Sequence, residues 1–331
     1  MNKKEWINHI KNNRQLSLPV LSFPAVQLLN ITVKDLVSDS TLQAKAMDAI
    51  AHRYSMSASL SMMDLSVEAE AFGAEVRYFD MDVPTVIKTK IETMEDVDNL
   101  LVPEIGTGRT KTYIEGIRQA KSLITDIPVF AGVIGPFSLS GRLMDMTEIM
   151  VNCYINPEMV HETLTKASLF IKNYILKLKA AGADGVIMAE PAAGLLSPEI
   201  CQEFSSRYIA DIVKDVNSDD FVFIYHNCGN VIPLVDTMLS IKADIYHFGD
   251  AINMENILRL MPADTVVMGN LSPSSVFQKG TVQSVKDETN HLLEKCSIYE
   301  NFIISSGCDI PPLTPIENID AYFETVSSFY K

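Results

Sequence analysis

The chain has 331 residues, 47% of them apolar, and a formal net charge of -15. That apolar content supplies a large core and argues against disorder. An acidic surface has no attraction for nucleic acid or for an anionic membrane, so neither is expected as a partner.

No apolar run approaches membrane-spanning length. The lysines of "MNKKEWINHIKNN" have no apolar segment behind them, so no signal peptide is expected. Five scattered cysteines, Cys153, Cys201, Cys228, Cys296 and Cys308, do not form a disulfide framework. A reducing, cytoplasmic location is the expectation. The thiols are then packing residues, metal ligands or reactive groups.

Apolar runs alternate with amphipathic helical stretches along nearly the whole chain. In order they are "SLPVLSFPA" (17–25), "MSASLSMM" (56–63), "IPVFAGVIGP" (127–136), "DGVIMAEP" (184–191), "FVFIYHNC" (221–228), "DIYHFGD" (244–250), "TVVMGN" (265–270) and "NFIISSGC" (301–308). Several are apolar on both faces, as buried parallel strands are. Helix starts are marked by Asn156 and Ser197, each before a proline, and by Thr314 with Glu317 three residues on, a capping-box pattern. Gly182 ends one long helix.

Eight strands with helices between them predict a (β/α)8 barrel, a TIM barrel, as a single domain over 1–331. An open doubly wound sheet is the alternative. Residues 64–109 form an excursion after the second strand, with "EVRYF" and "TVIKTK" as a small hairpin or lid. "GTGRT" reads as a plain turn, because its glycines are badly placed for a phosphate-binding fingerprint.

In such a barrel the chemistry sits at the C-terminal ends of the strands. The fourth run ends in Glu190, the fifth in His226 and Cys228, and the sixth in His247 and Asp250. The seventh ends in Asn270, the eighth in Cys308 and Asp309. Residues two apart on a strand point the same way, so His226 and Cys228 can share a face. A predicted helix after Cys228 favours its thiolate. Two thiolates and one imidazole suit Zn2+, with a position left for a carboxylate, water or substrate. Glu190 is the nearest carboxylate.

Packing remains the rival reading, because His-x-Cys lacks the paired spacing of a structural zinc site and free cysteine is usually buried. His247 reads equally as a packing histidine. Asn270 and Asp145 are candidates for lining a cofactor-binding mouth, with Arg142 beside the latter. Cys153, Cys201 and Cys296 read as structural, and the methionines near strand ends as core filler.

"YHNCGN", "VVMGNLSP" and "ISSGCDIPPLTPIENI", with "GPFSLSGRLMD" and "MDLSVEAEAFGAEV", resemble the uroporphyrinogen decarboxylase superfamily over nearly the whole chain. The resemblance is to its cobalamin-dependent methyltransferase branch, typified by methylcobamide:coenzyme M methyltransferases. That branch carries a zinc motif of His-x-Cys, a long gap, then Cys, matched here by His226, Cys228 and Cys308. It implies a catalytic zinc and methyl transfer to or from a corrinoid on a separate protein, with a small-molecule methyl donor or acceptor as the other partner. "DIYHFG" has the wrong spacing for a corrinoid lower-ligand motif, so methylcobalamin or another corrinoid comes with the partner.

The resemblance implies a thiol acceptor activated on zinc. Three alternatives stay open: an O-demethylase acting on a methoxy compound with zinc as Lewis acid, a metal-free decarboxylase-like lyase, and a non-catalytic zinc-stabilised binding subunit. Against the lyase, residues 18–30 lack the arginine-rich motif of true decarboxylases. Glu190 would fill the fourth metal position until substrate displaces it, and Asp250, Asp309 or Tyr225 would handle a proton.

Overall fold

Strands that are apolar on both faces are stable only between two covering layers, and this chain builds that arrangement. The computed structural model describes all 331 residues. Nine strands form in chain order: β1 (Ser59–Leu60), β2 (Glu75–Arg77), β3 (Thr85–Lys88), β4 (Val129–Ile134), β5 (Gly185–Ala189), β6 (Val222–Asn227), β7 (Ile245–Phe248), β8 (Val266–Leu271) and β9 (Phe302–Ser306). Seven make one sheet in the order β1-β4-β5-β6-β7-β8-β9. All its pairings are parallel, as strand–helix–strand connections require. β2 and β3 pair antiparallel as the hairpin of the excursion.

The first apolar run departs from expectation. Residues 17–25 form no strand, only a parallel bridge between Ser17 and Met56. Pro19 has no N–H to give a ladder. Two hydroxyls of β9 replace the missing bonds: Ser305 Oγ donates to the Leu18 carbonyl at 2.7 Å, and the Val20 N–H donates to Ser306 Oγ at 2.9 Å. This irregular stave closes the barrel between β9 and β1, so the (β/α)8 architecture holds with seven regular strands.

Helix ends follow local chemistry only in part, and Asn156 occupies its N-cap position without a side-chain cap bond. Ser197 caps its helix by accepting the Ile200 N–H, and Gly182 takes φ +110 just past the helix Pro157–Ala180. The box expected at Thr314 does not form. The last helix begins at Ile316 with Pro315 at its cap, and the Thr314 hydroxyl is buried without a partner. A single cluster of 101 buried apolar residues joins the barrel interior to the helices around it. No helix is long and apolar enough to cross a membrane.

Candidate metal centre

β6 is buried along its full length and ends at Asn227. Alternation along it directs His226 to one face and Tyr225 and Asn227 to the other. Cys228 follows at once. From β9 the chain runs through Gly307 to Cys308, at the same end of the barrel. His226, Cys228 and Cys308 meet there, with one ligand atom from each lying within 4.8 Å of the others. They belong to staves separated by β7 and β8, so barrel curvature brings them together.

The His226 ring is buried, and its two nitrogens differ. Nδ1 lies 2.6 Å from His247 Nδ1 and 3.2 Å from the His247 carbonyl. Nε2 is buried with no hydrogen-bond partner. A buried ring nitrogen without a partner, on a histidine beside two thiols, fits a tetrahedral N/S metal site. Hydrogen bonding from Cys308 outweighs burial, with help from His226, and holds the Cys228 thiol well below its ordinary value. The same contact pushes Cys308 well above its own.

That low value does not come from a helix end. Ile232–Leu234 forms only a 3-10 turn, and the helix proper begins at Val235.

His247 is the register partner of His226 on β7. Its Nε2 lies 2.8 Å from Ser305 Oγ. Burial, and then the adjoining His226, hold the His247 imidazole well below its ordinary value, so the ring is neutral. From the sequence it stood at a strand end and read equally as a packing residue. The available signal was the shared frame of "FIYHN" and "DIYHF" on successive strands.

The other candidate residues fall elsewhere. The Glu190 carboxylate is fully buried but turned to the helix Pro136–Met144, accepting the N–H groups of Phe137 at 2.9 Å and Ser138 at 2.6 Å. Burial raises it to about 7. It is not among the converging ligand atoms. Tyr225 lies on the opposite face of β6 from His226, where its hydroxyl accepts from Asn227 Nδ2 at 3.3 Å. Asp145 is exposed and caps the helix Met146–Ile155 through Thr147 N and Glu148 N.

Asn270 ties down the loop after β7, donating to the carbonyls of Gly249 at 3.0 Å and Ile252 at 2.8 Å. Asp250 is exposed and packs against Gly307, next to Cys308. Asp309 Oδ1 is buried without a partner, and burial raises its carboxyl well above the ordinary range.

A second polar cluster was not legible. "GTGRT" is a turn, with Gly106 at φ +110 and Gly108 at φ +57, and it delivers Arg109 into the protein. Arg109 pairs with Asp64, with Glu70 at 2.7 Å and with Ser66 Oγ at 2.7 Å, while Tyr113 donates to Asp64 at 3.0 Å. A fully paired network of this kind ties the two ends of the excursion to each other and, through Tyr113, to the helix Thr110–Leu123.

A parallel barrel that gathers one imidazole and two thiols at the C-terminal ends of its strands defines a class of protein whose mouth presents groups able to hold a metal ion. Residues 20–329 match the uroporphyrinogen decarboxylase (URO-D) family. The chain belongs to that family.

Among curated relatives it is 26% identical over 279 residues to methylcobamide:CoM methyltransferase MtbA of Methanosarcina acetivorans, covering 80% of this chain and 78% of that one. It is 21% identical over 290 residues to uroporphyrinogen decarboxylase of Paraburkholderia phytofirmans, covering 81% of this chain and 76% of the relative. Its fold superposes on a solved methyltransferase from Methanosarcina mazei with a TM-score of 0.85, at 23% identity over 95% of each chain.

Proposed function

We propose that this protein is a zinc-dependent methyltransferase that moves a methyl group between a corrinoid held by a partner protein and a small thiol. The carrying observation is the convergence of His226, Cys228 and Cys308 with His226 Nε2 buried and unpaired. The relatives named as methylcobamide:CoM methyltransferases support the same reading. His226 Nε2 and the two sulfurs would hold the ion.

Bound there, zinc would lower the pKa of a coordinated substrate thiol, so that a thiolate nucleophile is present at neutral pH. The chain's own groups prepare the mouth. Cys228 and Cys308 lie within ligand reach of each other and of the His226 ring. Both are only half-buried, which leaves a solvent path for a small substrate and for a corrinoid presented from above. Glu190 holds the adjoining helix in place through its terminal amides. Three protein ligands leave a fourth position, the pattern of catalytic rather than structural zinc.

Two measurements test this. Elemental analysis of the zinc-loaded wild type is expected to give one zinc per chain, and Cys308→Ala is expected to bind it more weakly by over about 100-fold, beyond the effect of losing an outer-shell partner. Anaerobic mixing of loaded protein with methylcobalamin and candidate thiols, with the cognate corrinoid protein supplied, is expected to shift the cobalt absorption bands. Full occupancy and affinity in Cys308→Ala would overturn the ligand set. Bands that move only with methoxy compounds and cobalt(I) would overturn the thiol acceptor.

A further inference from the structure

The bond chain behind His226 has a direction, and it can be read from its far end. The Leu18 carbonyl accepts and cannot donate. Ser305 Oγ lies 2.7 Å from that carbonyl and 2.8 Å from His247 Nε2. A hydroxyl has one proton, and at 2.7 Å two facing lone pairs would repel, so Ser305 gives its proton to Leu18. Ser305 Oγ must then accept from His247 Nε2–H. A neutral imidazole carries one N–H, so His247 Nδ1 presents a lone pair. That lone pair lies 2.6 Å from His226 Nδ1. The proton between them therefore belongs to His226, which leaves Nε2 as the bare nitrogen. Nε2 is the buried atom with no partner.

From this geometry, and resting on the metal reading above, we infer that His247 is a positioning residue. With Ser305 and the Leu18 carbonyl, it locks His226 in the Nδ1–H tautomer and aims the Nε2 lone pair at Cys228 and Cys308. A ligating histidine generally needs such a partner on its other nitrogen, and here the partner is a second histidine rather than a carboxylate. The device joins four staves. β6 supplies the ligand, β7 the acceptor and β9 the hydroxyl, while the irregular first stave supplies the terminal carbonyl. The absence of a regular ladder at residues 17–25 is what leaves the Leu18 carbonyl free for a side chain.

The test has a metal-free arm and a metal arm on the full chain. Long-range 1H–15N correlation spectra of the metal-free wild type are expected to show His226 with its proton on Nδ1 and His247 with its proton on Nε2. The opposite tautomer of His226 would overturn the inference directly.

In the metal arm, chelator competition and the d–d bands of the Co2+-substituted protein are compared across variants. His247→Leu is expected to lose about 10- to 100-fold in affinity and to shift the bands. His247→Gln, whose amide oxygen can accept from His226 Nδ1–H, is expected to restore most of both. Ser305→Ala is expected to fall between them. Should His247→Leu not fold, Ser305→Ala and the wild-type spectra still decide. A wild-type chain without zinc affinity overturns the metal reading. Wild-type affinity and bands in folded His247→Leu, with wild-type binding intact, overturn this inference.

Discussion

Glu68 shows what burial does to one carboxyl group when no cation touches it. Its neighbour in sequence, Asp64, is paired with Arg109 and with the hydroxyls of Ser66 and Tyr113. Glu68 has only the Ile134 N–H at 3.0 Å. Burial raises its pKa from 4.5 to about 7. The unfolded chain releases this proton near 4.5 and the native chain only near 7, so stability contributed below 4.5 is lost as pH rises to about 7. The loss is about 3 kcal/mol at 1.4 kcal/mol per unit. Glu68→Gln keeps an oxygen for Ile134 and removes the titration. Its melting profile should meet that of the wild type near pH 4 and lie above it at pH 8. Parallel profiles from pH 4 to 8 would show that Glu68 does not ionise late.

The loop after β7 lies directly over the end of β6, and a glycine makes that approach possible. Gly249 N–H donates to the Asn227 carbonyl at 3.1 Å. A Cβ at Gly249 would meet Cys228 Cα and Cβ at 2.5 Å each. These are atoms next to the backbone, so the clash cannot be relieved by turning a flexible side chain. Gly249→Ala should therefore displace Cys228, cost about 1–3 kcal/mol of stability, and weaken zinc binding by about tenfold or more while the barrel still melts cooperatively. Unchanged affinity by chelator titration would mean that Cys228 does not ligate. Legibility at this scale has a physical limit. Two-sided apolar runs revealed seven strands, because burial on both faces leaves a compositional mark. Residues 17–25 carry the same mark but not the ladder, since Pro19 lacks a donor and two serine hydroxyls on a distant strand compensate. Alternation within one strand put His226 and Cys228 on one face. The orientation of Glu190 was not legible, because it depends on where the turn at Gly135 sets the amides of Phe137 and Ser138. His247 was equally hidden, because its meaning comes from cross-strand register, and no pattern within one strand carries it.

At the scale of the whole molecule, the barrel closes through its least regular stave, and the candidate site spans the same side. His226 and Cys228 follow β6 while Cys308 follows β9, so an ion held by all three would tie together staves that β7 and β8 separate. The unfolded chain holds these ligands far apart, with 79 residues between Cys228 and Cys308. Binding should therefore favour the native state strongly and appear as stability. With free zinc at 100 times its dissociation constant, the gain is about 2.7 kcal/mol. A chain of this length has an unfolding entropy near 0.7 kcal/mol/K, on the order of 2.1 cal/mol/K per residue. The melting temperature should accordingly rise by about 4 °C in the wild type and by less than about 1 °C in Cys308→Ala, measured at equal free zinc in a metal buffer. The same rise in both proteins would place the ion on some other surface group. A rise in neither would mean that the three residues do not hold zinc in the folded state.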